Sequence, residues 1–247
     1  MTTVVPTRIP RLIVALDVPT YEAAVGLVDA LAPLDAIFKL GLESLYGYGD
    51  RIRAELERRG TPVFIDAKIH DVPRTAAAAA RALVRPGVAL LNLHALGGAE
   101  MLFEAVDAAQ VRAGELGIPA PEVFGVTLLT SHDGAELGEL GLVGGPGENV
   151  MRLAALARDA RCAGVVCGVA EVADLKAFFG HDFRTLCPGI RPLGTLHQDQ
   201  KRVATPAAAA LAGADYVVVG RPIVEAPDAL EAARAIIAEM TGVLDAG

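Results

Sequence analysis

Phe64-Ile65-Asp66-Ala67-Lys68-Ile69-His70-Asp71-Val72-Pro73 starts as an apolar strand, continuing Pro62-Val63, and ends in charge. Side chains alternate faces along a strand. Asp66 and Lys68 are therefore expected on one face, with Ile65 and Ala67 on the other. A carboxylate and an ammonium at the end of so apolar a strand are costly to bury unless paired or used. Asp71 comes just past the strand, before the alanine run 76–80. An array of Asp66, Lys68 and Asp71 would hold the lysine protonated and fixed. Such a group can deliver a proton or neutralise a developing carbanion.

The same pattern repeats on both sides of this stretch. An apolar strand over 12–16 ends at Asp17, and Thr20 can cap the helix that follows. A strand over 36–38 ends in Lys39, and a helix over about 43–59 is stopped by Gly60. Helix 76–83, strand 88–93 and helix 98–113 come next, with Asn92 and His94 at that strand's end. Strand 123–129 runs into Thr130-Ser131. A short helix and Gly-rich loop fill 132–148, before a longer helix over 148–161. Strand 164–167, a helix near 170–179 and strand 185–187 lead into Pro188-Gly189-Ile190-Arg191-Pro192. A polar loop 193–202, helix 205–212, strand 215–219 and a helix over about 227–240 complete the chain. Eight strands alternating with helices in 247 residues predict a (β/α)8 barrel, a single domain over 1–247. A doubly wound open sheet is the competing topology.

Composition narrows the function classes. Hydrophobic residues make up 53% of the chain and aromatic ones 4%, so the core must be aliphatic, as helices on a parallel sheet require. The net charge of −8 argues against nucleic acid and anionic membrane surfaces as partners. It still admits a small anionic substrate met by local basic residues. Cys162, Cys167 and Cys187 are odd in number and lack Cys-x-x-Cys spacing, which argues for core filler over disulfides or zinc. Met1–Pro10 has no apolar segment of signal-peptide type, and no uncharged run would span a bilayer. A cytoplasmic protein is expected.

Placed on the predicted strands, the polar residues collect at the C-terminal ends, where barrel enzymes carry their chemistry. Asp17 ends strand one, Lys39 strand two, and Asp66, Lys68 and Asp71 strand three. Thr130 ends strand five, Arg191 strand seven and Arg221 strand eight. One such residue is ordinarily a solvated charge, but a set at one barrel mouth needs a reason. Gly220-Arg221 sits where barrels often bind phosphate, and Arg191 and Gln200 flank it. Arg221 would add a bidentate fork. His70 and His94 lack a second ligand at standard spacing, so no metal site is expected. No Gly-x-Gly-x-x-Gly follows the first strand, which argues against a dinucleotide.

Asp66-Ala67-Lys68-Ile69-His70-Asp71-Val72-Pro73 resembles the Asp-x-Lys-x-x-Asp motif of the orotidine 5′-phosphate decarboxylases. The resemblance extends to Leu16-Asp17, Lys39-Leu40-Gly41, Leu129-Thr130-Ser131, Pro188-Gly189-Ile190-Arg191-Pro192, Asp199-Gln200-Lys201-Arg202 and Val219-Gly220-Arg221-Pro222-Ile223. Arg74 departs from it, standing where a small polar residue is expected before Thr75. The resemblance implies conversion of orotidine 5′-monophosphate to uridine 5′-monophosphate without metal or organic cofactor. It implies Lys68, Asp66 and Asp71 as catalytic residues, with Asp71 reaching across a homodimer interface. It implies Asp17 and Lys39 on the ribose, and Thr130 and Ser131 on the pyrimidine. Arg191, Gln200, Gly220 and Arg221 would hold the phosphate, Thr75 would join the substrate contacts, and 193–202 would form a lid.

Two rivals stand beside it. A magnesium-dependent decarboxylase of keto-sugar phosphates would have an acidic residue in place of Lys39 and no Asp-Gln loop. A non-catalytic nucleotide-binding barrel would have no need of the set Asp17, Lys39, Asp66, Lys68 and Asp71.

Overall fold

The computed structural model describes residues 8–132, 134–192 and 203–245. Its strands are β1 (Arg11–Ala15), β2 (Ile37–Leu40), β3 (Val63–Ile69), β4 (Val88–His94), β5 (Glu122–Val126), β6 (Gly164–Val166), β7 (Arg184–Cys187) and β8 (Tyr216–Val219). All neighbours are parallel, and β1 pairs with both β2 and β8, so the sheet closes in the order β1 to β8. Closure rules out the open doubly wound sheet.

Helices α1 (Tyr21–Leu31), α2 (Leu42–Arg58), α3 (Pro73–Leu83) and α4 (Ala99–Leu116) follow the first four strands in turn. The pair α5 (Gly134–Glu139) and α6 (Pro146–Asp159) follows β5, and α7 (Val172–Phe179) follows β6. Beyond β7 come α8 (Pro206–Ala212), then α9 (Arg221–Val224) and α10 (Ala229–Asp245) after β8. Local chemistry sets these starts and stops. The Thr20 hydroxyl accepts from Ala23 N at 3.2 Å and caps α1, whose Ala24, Val28 and Leu31 face the sheet. Pro73 opens α3, where its missing N–H costs nothing. Ala76, Ala80, Ala209 and Ala210 are fully buried, but the alanine-rich helices pack chiefly on helices and not on the sheet as expected, α3 against α4 and α8 against α10.

Alternation along the strands builds two cores. Ile13, Ala15, Ile37, Phe64, Leu90, Phe124, Leu186 and Val218 fill the barrel interior. Leu12, Val14, Leu16, Ile65 and Leu91 pack outward against the helices. The inward rows decide the site, because those of the first four strands turn polar at their C-terminal ends. Ile13 and Ala15 lead to Asp17, Ile37 to Lys39, Phe64 to Asp66, and Leu90 to Asn92.

Two expectations need correction. Strand five ends at Val126, short of Leu129. Its neighbour β6 is only three residues long, and both N and Oγ1 of Thr127 bond the carbonyl of Val166, the last one β6 offers. Strand three runs on to Ile69, but simple alternation does not hold through it. Pairing with β4 jumps from Ile65↔Leu91 to Ile69↔Leu93, and Lys68 takes φ +49°. That left-handed backbone is rare for a residue with a side chain.

Candidate active site

A cavity of about 600 Å³ opens at the C-terminal end of the barrel. Its floor is apolar, formed by side chains such as Phe64, Val126, Val166, Leu186 and Val218. Asp17, Lys39, Asp66 and Lys68 make one wall. Arg191 and Arg221 enter from β7 and β8, across the barrel from β3 and β4 in the strand order. Thr130 and Ser131 complete the rim after β5.

The charged wall is a continuous chain of alternating sign. Lys39 Nζ lies 3.0 and 3.1 Å from the two Asp17 oxygens and 3.3 Å from Asp66 Oδ2. Lys68 Nζ donates to Asp66 Oδ1 at 2.6 Å. Lys39 and Asp66 are each only 7% exposed. Isolated charges so placed would be prohibitively costly, but each here has an opposite charge within bonding distance. Lys68, farther out, is half-buried. Lys68 and Asp66 thus share one side of the strand, as expected, although a bulge brings them there and not plain alternation.

Helix α2 holds the first part of this wall in place. Ser44 Oγ donates to the Leu16 carbonyl at 3.1 Å and Tyr48 OH to the Val18 carbonyl at 2.6 Å, pinning the end of β1 around Asp17. Gly41 caps α2 from directly beneath the ion pair. At the other end, Arg191 N donates to Ala204 O at 2.9 Å and Ala204 N to Gly189 O at 3.2 Å.

Asp71 and Thr75 stand apart from the rest. Both are exposed and neither lines the cavity of its own chain. Asp71 Oδ1 accepts from Val72 N at 2.7 Å at the entry to α3. The expected array of Asp66, Lys68 and Asp71 is therefore not formed within one chain. The array present runs Asp17, Lys39, Asp66, Lys68. Gln200 and loop 193–202 lie outside the described residues.

Three residues at the cavity are not among the expected site residues. Asn92 is buried and bonds both Asp66 and the Lys68 backbone. Glu43 and Glu225 stand at the rim. Asn92 carried a signal that could have been read: a polar residue in the inward row of an otherwise apolar strand. Behind Lys68, the His70 and His94 rings lie 5.6 Å apart. His94 is held below the usual histidine pKa, first by burial and then by its electrostatic interaction with His70 and Lys68. Its Nδ1 is buried without a hydrogen-bond partner among the described residues.

Residues 10–236 match the Orotidine 5'-phosphate decarboxylase / HUMPS family. The chain belongs to that family. The orotidine 5'-phosphate decarboxylase of Moorella thermoacetica is 47% identical over 231 residues, 93% of this chain and 92% of that protein. The one from Halorhodospira halophila is 46% identical, covering 94% and 96%. The crystal structure of orotidine 5'-phosphate decarboxylase from Lactobacillus acidophilus superposes with a TM-score of 0.82 at 34% identity, covering 94% of this chain and 99% of that one. Family membership makes the chain an enzyme, a carboxy-lyase. Among the described residues no helix is long and apolar enough to cross a membrane.

Proposed function

We propose that the chain converts orotidine 5′-monophosphate to uridine 5′-monophosphate and carbon dioxide, a step of pyrimidine biosynthesis, with Lys68 as the acid. The observation that carries this reading is the Lys68–Asp66 contact of 2.6 Å at the end of a buried chain of alternating charges. The bond from C6 to the carboxylate breaks and its electron pair stays on C6. The Lys68 ammonium stabilises that charge and then transfers a proton to C6, to be reprotonated from solvent. Asp66 lies beside the departing carboxylate. Two such charges at about 4 Å repel by roughly 4 kcal/mol at an effective dielectric near 20, and the repulsion is relieved as carbon dioxide forms.

The rest of the site orients the nucleotide. Asp17 and Lys39 hold ribose hydroxyls, and Thr130 and Ser131 face the pyrimidine over the apolar floor. Arg191, Gly220 and Arg221, with Gln200, grip the phosphate. Binding energy from that remote group fixes the base against Lys68. The reading requires no metal or organic cofactor, and places the enzyme in the cytoplasm as a homodimer. Asp71 and Thr75 then serve the partner's cavity, which agrees with their exposure and with the bare Val72 beside them, 63% exposed.

The test is to mix purified protein with orotidine 5′-monophosphate in chelator and follow the loss of orotate absorbance. Turnover supports the reading. Turnover only of a keto-sugar phosphate, and only with magnesium, would move the chain to the other branch. Tight binding of uridine 5′-monophosphate without turnover would make it a binding protein.

A further inference from the structure

The bulge that carries Lys68 needs something to hold it. Between the pairs Ile65↔Leu91 and Ile69↔Leu93, three residues of β3 face one residue of β4. The three are Asp66, Ala67 and Lys68, and the one is Asn92. Their backbones cannot all find ladder partners there, and Lys68 sits at φ +49°. The Asn92 side chain fills the gap with both halves of its amide. Its Oδ1 accepts from the Lys68 backbone N at 2.8 Å. Its Nδ2 donates to Asp66 Oδ1 at 2.6 Å, the same oxygen that receives Lys68 Nζ.

Asn92 is itself immobilised. It is 1% exposed, and its backbone pairs with Phe124 in the next ladder. Neither alanine nor aspartate can do the same work. Alanine removes both bonds. A carboxylate keeps an acceptor for the Lys68 N–H but sets a negative charge against Asp66.

We infer that Asn92 is a positioning residue, its amide locking the Lys68 backbone and the Asp66 carboxylate into the geometry that aims the ammonium into the cavity. The inference rests on the proposed decarboxylation for its catalytic consequence, though not for its geometry.

Asn92→Ala and Asn92→Asp are compared with wild type by three measurements. These are turnover of orotidine 5′-monophosphate, calorimetric binding of uridine 5′-monophosphate, and hydrogen exchange at the Lys68 amide. In Asn92→Ala, kcat should fall about 100-fold, as an ångström of misplacement does, while KM and nucleotide affinity stay within about threefold at full stoichiometry. The Lys68 amide should exchange faster. In Asn92→Asp, kcat relative to wild type should recover as pH falls, because a protonated carboxyl again offers one donor and one acceptor. A kcat within about twofold of wild type overturns the inference. So does a loss of kcat matched by lost binding stoichiometry, or an Asn92→Asp pH profile parallel to wild type. Inert wild-type protein would instead overturn the reaction assignment. Amide exchange then decides the geometry alone: faster in Asn92→Ala upholds the lock, unchanged overturns it.

Discussion

Gly41 has no side chain because the Asp17 carboxylate occupies the place one would take. A β-carbon there would lie 2.6 Å from Asp17 Oδ1 and 2.7 Å from Lys39 Nζ. Its backbone, at φ −85°, is one any residue adopts, so the constraint is the ion pair and not the turn. Gly41→Ala should force Asp17 and Lys39 apart and lower kcat/KM by about 10–100-fold, the cost of displaced substrate contacts. Steady-state kinetics beside a thermal melt would show it. Unchanged kinetics would mean that the pair yields without consequence.

Lys68→Ala should lower kcat by about 10⁴-fold or more, since it removes both the acid and the charge opposite the carbanion. Titration with uridine 5′-monophosphate should still reach full occupancy. An active variant would remove Lys68 from the chemistry.

Arg221→Ala should lower kcat/KM by about 10–100-fold, the worth of a charge-assisted contact to phosphate. The nucleoside orotidine, which has no phosphate, should lose much less. Equal losses for both would place the phosphate elsewhere.

In the proposed homodimer, Asp71→Ala and Lys68→Ala proteins should each be inactive, and mixing them should restore part of the activity once subunits exchange. One of the two sites in each mixed dimer then has both residues intact. Proven exchange with no recovery would confine Asp71 to its own chain.

His94 should leave a mark on stability. Burial lowers its folded pKa below the unfolded value of about 6.5, with His70 and Lys68 adding to the effect and Asp66 opposing it. The unfolded chain therefore binds the proton more readily. The contribution is fully present above about pH 6.5 and is lost as pH falls through the folded pKa. The Tm of wild type minus that of His94→Gln should decrease from about pH 7.5 to about pH 5. A flat difference would mean that His94 is not desolvated in solution.

The barrel and most of its charged mouth were legible in the sequence for one reason. Inward rows such as Ile13-Ala15-Asp17 and Ile37-Lys39 change from apolar to charged where each strand leaves the core. Period-two reasoning follows that change as long as the ladder is regular. It fails where the backbone departs from the ladder. Nothing in the residue types announces that Lys68 takes a left-handed conformation, or that Asn92 stands in for ladder partners across the bulge. Strand five is shorter than its apolar run because that run outlasts its partner, and a strand's length depends on a neighbour distant in sequence. Asp71 reads as part of the array from its place just past the strand, and Thr75 joins the site through family resemblance, but a single chain leaves both outside the cavity.

Closure of β1 onto β8 has a consequence for biosynthesis. A polypeptide made from its N-terminus holds Asp17, Lys39, Asp66 and Lys68 long before Arg221 is added. Until Tyr216–Val219 arrives to bond Arg11–Val14, the first strand is a bare hydrogen-bonding edge and the bowl above it has a gap in its side. A chain without β8 thus lacks both the closed sheet and the Arg221 that lines the cavity.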